Sequence, residues 1–189
     1  MAASTSDAGT RRDFILVASA SMGAVAAGAI AWPLIQQMNP SAAALALATT
    51  EIEIAAIQPG QQVIFKHRGQ PLFVRRRTPN EIKSAQSVDV ASLPDGLARN
   101  DGKDAAMPAS DANRVIKAEW LVVSGVCTHL GCTPTVSTPT APEGEYGGWL
   151  CHCHGSAYDT SGRIRKGPAP ENLRVPVYEF MSDTRIKVG

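Results

Sequence analysis

A long uncharged run occupies the first part of this sequence. From Phe14 to Thr50 there is no Asp, Glu, Lys, Arg or His. Residues 14–35 of this run are mostly apolar, and a helix over them is about 33 Å long at about 1.5 Å per residue, enough to cross the ~30 Å hydrocarbon core of a membrane. Trp32 suits the membrane interface, and Pro33 limits or kinks the helix there. The sequence therefore predicts a single transmembrane anchor at residues 14–35.

Two arginines, Arg11 and Arg12, precede this anchor. By the positive-inside rule, residues 1–13 stay in the cytoplasm, and everything after Ile35 lies on the other side of the membrane, in the periplasm of a bacterium. The stretch TRRDFIL (10–16) is similar to a twin-arginine signal, which directs export of a protein already folded with its cofactor; an ordinary positive flank is the alternative. Because the apolar segment is long and shows no small-residue cleavage site, we expect an uncleaved anchor in the inner membrane.

Residues 36–50 (QQMNPSAAALALATT) are uncharged and rich in alanine. Ser41 can cap a helix over residues 41–48, but an alanine helix this short is only marginally stable in water. A marginal segment between an anchor and a folded domain is what a flexible tether requires, although a plain spacer has the same composition. We expect residues 36–50 to be the tether.

From residue 51 onward the pattern is that of an all-β domain, residues 51–189. A short helix is expected at 78–86, and short antiparallel strands are expected at 51–57, 61–67, 71–77, 119–126, 149–151, 174–180 and 185–189. Residues 68–70 are expected to join the second and third of these strands as a hairpin. Residues 89–113 are polar with scattered Gly and Pro, which predicts a surface excursion. The fold class is one transmembrane helix followed by an antiparallel β sandwich or barrel. The net charge of +1 gives no indication of nucleic-acid binding.

All four cysteines lie in two Cys/His boxes, CTHLGC (127–132, box 1) and CHCHG (151–155, box 2). Such clusters indicate a metal site or disulfides. A structural zinc takes four ligands and leaves surplus Cys or His beside the metal, whereas two disulfides leave the histidines without a role. A [2Fe–2S] cluster with mixed ligation uses the residues most fully, because each box then supplies one thiolate and one imidazole and keeps one spare cysteine.

The two boxes, together with GSAYD (155–159) and GRIRKGPAPENL (162–173), resemble those of Rieske iron–sulfur proteins, in particular the Rieske subunits of ubiquinol–cytochrome c reductases. The resemblance implies an all-β Rieske domain with a small cluster-binding subdomain at about residues 120–173. One departure from the family lies at His152, where a proline is usual. It adds a titratable group beside the cluster and removes no ligand.

The resemblance also implies roles for individual residues. Four hold one [2Fe–2S] cluster, with Cys127 and Cys151 on the inner iron and His129 and His154 on the exposed iron. Two form a disulfide between the boxes, Cys132 and Cys153. Two donate hydrogen bonds that raise the reduction potential, Ser156 to a bridging sulfide and Tyr158 to the sulfur of Cys127. Leu130 and the turn at 167–170 form an apolar cover around the histidines.

The implied activity is that of the electron-transfer subunit of a quinol–cytochrome c reductase. His154 accepts a hydrogen bond and a proton from ubiquinol, and the electron passes through the cluster to a c-type cytochrome. The implied partners are cytochrome b and a c-type cytochrome, in a membrane-anchored, dimeric complex that contributes to proton translocation. The alternatives are the Rieske small subunit of a periplasmic oxidase such as arsenite oxidase, the plastoquinol-oxidising complex of photosynthesis, a soluble dioxygenase ferredoxin, and a zinc-stabilised interaction module.

Overall fold

The computed structural model describes residues 10–42, 48–138 and 140–189 of the chain. It separates into an N-terminal unit that ends at Leu45 and a β domain that begins at Ala46. Most of the helix predicted at 41–48 lies outside the described residues, since 43–47 are not among them.

The N-terminal unit contains one long helix, α1 (Arg11–Gln36). Thr10 caps it: the Thr10 hydroxyl accepts a hydrogen bond from the Asp13 backbone N–H at 3.2 Å, and the Asp13 carboxylate accepts one from the Thr10 N–H at 2.8 Å. This reciprocal pair satisfies two otherwise unpaired donors of the first turn, so the helix begins at the twin arginines. It continues through Pro33 for three residues before it ends. By length and composition, with a mean hydropathy of 2.0 in its most apolar window, α1 is able to cross a membrane.

Six strands of the β domain form two antiparallel sheets of three strands. One consists of β1 (Thr50–Glu53), β10 (Arg185–Val188) and β9 (Tyr178–Phe180), in that order. The other consists of β2 (Gln62–His67), β3 (Gln70–Arg76) and β4 (Trp120–Ser124), also in that order. The hairpin predicted with its connection at 68–70 is confirmed: Arg68 and Gly69, with φ of 50° and 80°, form a two-residue turn whose twist suits the paired strands.

A third antiparallel sheet carries box 2. It has the order β5 (Thr135–Val136), β6 (Gly147–Cys151), β7 (Ser156–Asp159) and β8 (Ile164–Lys166). Trp149 of β6 is 1% exposed and stacks on Phe73 of β3 at 5.9 Å between ring centroids. Its indole N–H donates to the Gln62 side chain at 2.8 Å. The third sheet is therefore fixed against the second through one large aromatic side chain.

Two further helices are short. α2 (Pro79–Gln86) matches the predicted helix and has Thr78 as its N-cap, while α3 (Asp111–Arg114) spans one turn. Two predicted strands lose more than half of their expected residues. The strand at 51–57 ends at Glu53 because the chain turns there, with the Ile57 N–H donating to the Ile54 carbonyl. The strand at 174–180 begins only at Tyr178, since the backbone groups of Val175 pair with residues 99 and 101.

The prediction of a surface excursion at 89–113 is correct only in part. Residues 101–106 are exposed, but five side chains of the segment are buried: Leu93, Asp95, Ala98, Ala109 and Asp111. Directly after the segment, the fully buried Arg114 donates to the carbonyl groups of Ala98, Ser161 and Leu173. The buried part of the segment therefore lies in the interior that supports residues 161–173.

Candidate metal centre

Boxes 1 and 2 have the same backbone turn. In each, a glycine four residues after the first cysteine donates to that cysteine's carbonyl: Gly131 to Cys127 and Gly155 to Cys151, both at 2.9 Å. Both glycines have positive φ, 86° and 76°, a backbone conformation that other residues adopt at a cost. Box 1 follows β4 and box 2 joins β6 to β7. The shared turn places Cys127 and Cys151 at equivalent positions in two loops.

A disulfide joins the two loops. It links Cys132 to Cys153, with 6.8 Å between their Cα atoms, and this is the pairing that the family resemblance implies. The sulfur of Cys151 lies beside it, and the three sulfur atoms are within 4.8 Å of one another. Because two of the four cysteines are bonded to each other, Cys127 and Cys151 remain as free thiols. Each box thus presents one thiol that is able to bind iron.

The environments of the two free thiols differ although each is 2% exposed. At Cys127, burial raises the pKa, but hydrogen bonds from the Tyr158 hydroxyl and the His129 backbone outweigh it and lower the thiol pKa. At Cys151, burial and the neighbouring Cys127 together raise the thiol pKa. Two thiols that share one buried site cannot both ionise easily without a cation. The pair is therefore suited to binding a metal that neutralises both thiolates.

Tyr158 lies on β7 and contacts the cluster side of box 1. Its hydroxyl is 3.3 Å from the Sγ of Cys127, and the residue is 1% exposed. Burial, and then the adjacent thiol, raise the pKa of Tyr158 above its ordinary value. The phenol therefore keeps its proton and serves as a hydrogen-bond donor to the sulfur.

Two of the three box histidines, His129 and His154, face each other. The ring centroids of His129 and His154 are 4.6 Å apart and the rings are perpendicular. His154 is exposed and His129 half-buried. The Nδ1 atom of His129 is buried and has no hydrogen-bond partner within the described parts of the chain. An unpaired buried nitrogen costs roughly 1–3 kcal/mol, so this atom fits the position of a metal ligand. Two buried thiols and two facing imidazoles are a donor set that fits a mixed-ligand iron–sulfur cluster.

The turn at residues 167–170 packs against box 2. Gly167 has φ of 101°, and a Cβ atom there would lie 2.6 Å from the Cα of Ser156, so a side chain is excluded. The fully buried Ser156 hydroxyl accepts a hydrogen bond from the Ala169 N–H at 3.1 Å. This bond leaves the Ser156 hydroxyl proton free to donate to another acceptor. In box 1, the side chain of Leu130 is 72% exposed.

Two contacts beside the boxes were missed from the sequence. The Thr128 hydroxyl donates to the Glu171 carbonyl at 2.7 Å and lies 3.3 Å from the Glu171 N–H, which joins box 1 to the chain after the 167–170 turn. The position of Thr128, between the candidate ligands Cys127 and His129, is the sequence signal that could have indicated this contact. His152, which had no assigned role, has Nε2 3.1 Å from a carboxylate oxygen of Glu143.

Two protein-family models match this chain. One, described as "Rieske [2Fe-2S] domain", covers residues 51–179, and the other, described as "Ubiquitinol-cytochrome C reductase Fe-S subunit TAT signal", covers residues 1–41. The chain belongs to the Rieske iron–sulfur protein family. Its cofactor is a [2Fe–2S] cluster, and the N-terminal helix with its twin-arginine signal makes it a membrane-anchored subunit.

Curated Rieske relatives match over nearly the whole chain. The "Ubiquinol-cytochrome c reductase iron-sulfur subunit" of Cereibacter sphaeroides is 51% identical over 96% of this chain and 96% of its own length. The protein of the same name from Rhodobacter capsulatus is 48% identical over 97% of each chain. A chain of the solved structure "Hyperthermophilic respiratory Complex III" matches at 25% identity and a TM-score of 0.48, covering 91% of this chain and 98% of that one.

These relatives confirm the predicted Rieske family and do not favour the periplasmic-oxidase alternative. The match to a [2Fe–2S] domain also decides against a zinc-stabilised module. The assignment of individual ligands stays a prediction, supported by the geometry of the two boxes.

Proposed function

We propose that this chain is the electron-transfer subunit of a ubiquinol–cytochrome c reductase, which takes an electron and a proton from ubiquinol and passes the electron to a c-type cytochrome. The observation that carries the proposal is the end-to-end similarity, from the twin-arginine signal to the last strands, with relatives that bear this name.

Four residues are proposed to hold the cluster: Cys127, His129, Cys151 and His154. The support is that both thiols are free and buried, that the two imidazoles face each other, and that His129 Nδ1 is buried without a partner among the described residues. When bound, the cluster supplies reversible one-electron transfer, and two neutral imidazoles in place of two thiolates make it a readier electron acceptor. Cys132 and Cys153 are bonded to each other and hold the two loops together.

His154 is the proposed proton acceptor. Its ring is exposed, whereas His129 is half-buried, so His154 is the histidine that a quinol hydroxyl reaches. The acceptor would be the ring nitrogen that does not bind iron, and it can accept the hydrogen bond and then the proton only while it is deprotonated. Proton uptake would make the ring a neutral imidazole, which later releases that proton to solvent. The exposed Leu130 beside the histidines adds an apolar edge that limits the access of water to this hydrogen bond.

Ser156 and Tyr158 are the proposed tuning residues. Tyr158 donates to Cys127, and the Ser156 hydroxyl proton remains available to a bridging sulfide after Ser156 has accepted from Ala169. Each donated hydrogen bond stabilises the negative charge that reduction adds, and so favours electron uptake.

The partners and the membrane arrangement follow from the same proposal. Cytochrome b and a c-type cytochrome are the neighbours within a dimeric complex. The proposed location is the inner membrane of a bacterium, with residues 1–13 in the cytoplasm and the domain at 51–189 in the periplasm. Residues 36–50 supply the slack that lets this domain move between its electron donor and its acceptor.

Purification through this chain from native membranes tests the proposal. We expect cytochromes b and c to co-purify, and the preparation to reduce cytochrome c with ubiquinol. Replacing His154 with Gln should abolish the activity, whereas the matched variant His67→Gln, on a histidine outside both boxes, should retain it. Co-purification with an oxidase subunit and no response to ubiquinol would contradict the proposal.

A further inference from the structure

Residues 95–101, in the partly buried segment 89–113, contact the chain just after the 167–170 turn. Asp95 is 5% exposed, and its carboxylate accepts a hydrogen bond from the Asn172 N–H at 2.8 Å. The Asn172 side-chain amide donates to the carbonyl groups of Asp95 and Leu97, at 2.9 and 2.8 Å. Three hydrogen bonds between parts of the chain about 75 residues apart join this segment to the end of the GPAPEN stretch.

Arg99 connects this segment to Glu171, the residue after the 167–170 turn. Its Nε lies 2.9 Å from the Asp95 carboxylate, and its Nη1 lies 3.1 Å from the Glu171 carboxylate. The hydrogen bond to Asp95 raises the pKa of Arg99. Its backbone has φ of 50°, which a residue with a side chain rarely adopts, and its carbonyl accepts from the Val175 N–H at 2.8 Å. The guanidinium is thus held by its own backbone conformation between two carboxylates.

Glu171 links Arg99 to box 1. Its backbone is bonded to the Thr128 hydroxyl in both directions, and Thr128 lies between Cys127 and His129. A continuous series of contacts therefore runs from Arg99, through Glu171, to the backbone between two proposed ligands. The same Glu171 backbone lies directly after the turn that packs on Ser156.

We propose that Arg99 is a positioning residue for the cluster site. The Arg99 guanidinium bridges the Asp95 and Glu171 carboxylates. It thereby holds Glu171, the residue after the 167–170 turn, against Thr128 and sets the orientation of His129. This inference rests on the proposed ligand role of His129. The inference gives a function to the segment 89–113, whose polar composition with scattered Gly and Pro also fits an insertion without a role.

Hydrogen exchange on the purified complex, with Arg99→Ala beside the control Arg174→Ala, tests the inference. Arg174 is 58% exposed, lies 3.9 Å from the same Glu171 carboxylate and pairs mainly with Asp101, so its replacement removes an equal charge without touching Asp95. We expect Arg99→Ala to raise the exchange rate of the Glu171 amide by about tenfold or more, and Arg174→Ala to leave it within about threefold of wild type.

A second readout separates positioning from plain stability. With two irons per chain retained, Arg99→Ala should alter the electron paramagnetic resonance spectrum of the cluster, and Arg174→Ala should not. Arg99→Lys should restore the spectrum only in part, because an ammonium group cannot bridge two carboxylates in the planar geometry of a guanidinium.

Equal exchange rates and unchanged spectra in the Arg99 and Arg174 variants would overturn the inference. If Arg99→Ala does not accumulate, Glu171→Gln decides in its place, since it removes the same ion pair and keeps both backbone contacts to Thr128. If His129 proves not to bind the cluster of the wild-type protein, the proposed ligand set fails. The exchange rate of the Glu171 amide still reports the Arg99 contact in that case, so the two failures are distinguishable.

Discussion

The hydroxyl groups around Cys127 and Cys151 show how single residues prepare this site. Tyr158 and Ser156 are both buried in β7, two residues apart on the same face of the strand, and both point toward the boxes. A buried hydroxyl needs a partner, and here the partners are the Cys127 sulfur and the Ala169 N–H. Strand alternation therefore delivers two donors to one place.

Replacing Tyr158 with Phe should lower the midpoint potential and leave the cluster in place. The variant removes only the hydroxyl that donates to Cys127, and a hydrogen bond worth about 1 kcal/mol more to the reduced form corresponds to a fall of roughly 40 mV. Redox titration of the purified protein measures it. The control is Tyr178→Phe, whose hydroxyl accepts from the Ile116 N–H away from the boxes. An unchanged potential in the Tyr158 variant would remove this residue from the tuning role.

At the scale of elements, two loops on different strands form one site because a covalent bond and a shared turn hold them together. The Cys132–Cys153 bond closes a loop of 21 residues in sequence separation, which restricts the unfolded chain as well as the folded one. The chain-entropy model gives a stabilisation of about 3 kcal/mol for a loop of this length.

The double variant Cys132→Ala, Cys153→Ala should fold less stably and lose cluster more readily on heating. We expect a decrease of about 2–4 kcal/mol in the free energy of unfolding, because the unfolded chain regains the freedom that the bond removes. Thermal unfolding, followed by circular dichroism and by the visible absorption of the cluster, measures both effects. Both cysteines are replaced so that the variant contains no unpaired thiol at either position. Equal stability of variant and wild type would argue against a stabilising role of the disulfide.

Local sequence signals predicted the elements of the site well. The hairpin at Arg68–Gly69, the helix after Thr78 and the two boxes each depend on residues within a few positions of one another. The buried role of 89–113 and the Thr128–Glu171 contact depend on partners 43 to 77 residues away. No local sequence pattern contains such distant partners. A polar composition normally indicates an exposed segment, and this expectation fails where charged residues such as Arg114 are buried.

At the scale of the whole β domain, buried charges join segments that are distant in sequence. Arg77 pairs with Asp111 at 2.6 Å. Arg163 pairs with the nearby Asp159 at 2.7 Å and also donates to the distant carbonyl groups of Ala85 and Ala109. The four charged side chains are at most 4% exposed. Removing one member of such a pair leaves an uncompensated charge, at a cost of about 3–5 kcal/mol. Arg114 donates only to carbonyl groups and has no carboxylate contact among the described residues. Burial lowers its pKa to about 10.

Acid should weaken the domain through Asp95. Burial raises the pKa of this carboxyl, but hydrogen bonds from Arg99 and from the backbone N–H groups of Asn172 and Leu97 outweigh it, so the folded-state pKa lies below the ordinary value. A depressed pKa contributes stability above the unfolded value of about 3.9, and that contribution is lost as the pH falls through the folded value. Melting temperatures from pH 7 to pH 3 should fall less for Asp95→Asn than for wild type, from a lower starting point. Parallel curves for the two proteins would exclude Asp95 from this effect.

The ligand set is the claim on which electron transfer, proton transfer and tuning all depend. Pulsed electron paramagnetic resonance of the reduced protein, with histidine labelled by ¹⁵N, reads it directly, because only nitrogen bound to the cluster couples strongly to the unpaired electron. We predict two distinct histidine nitrogen couplings, from His129 and His154, in a chain that holds two irons and two acid-labile sulfides and has its Cys132–Cys153 bond intact. A spectrum without histidine nitrogen coupling, as four thiolate ligands would produce, would contradict the proposed site.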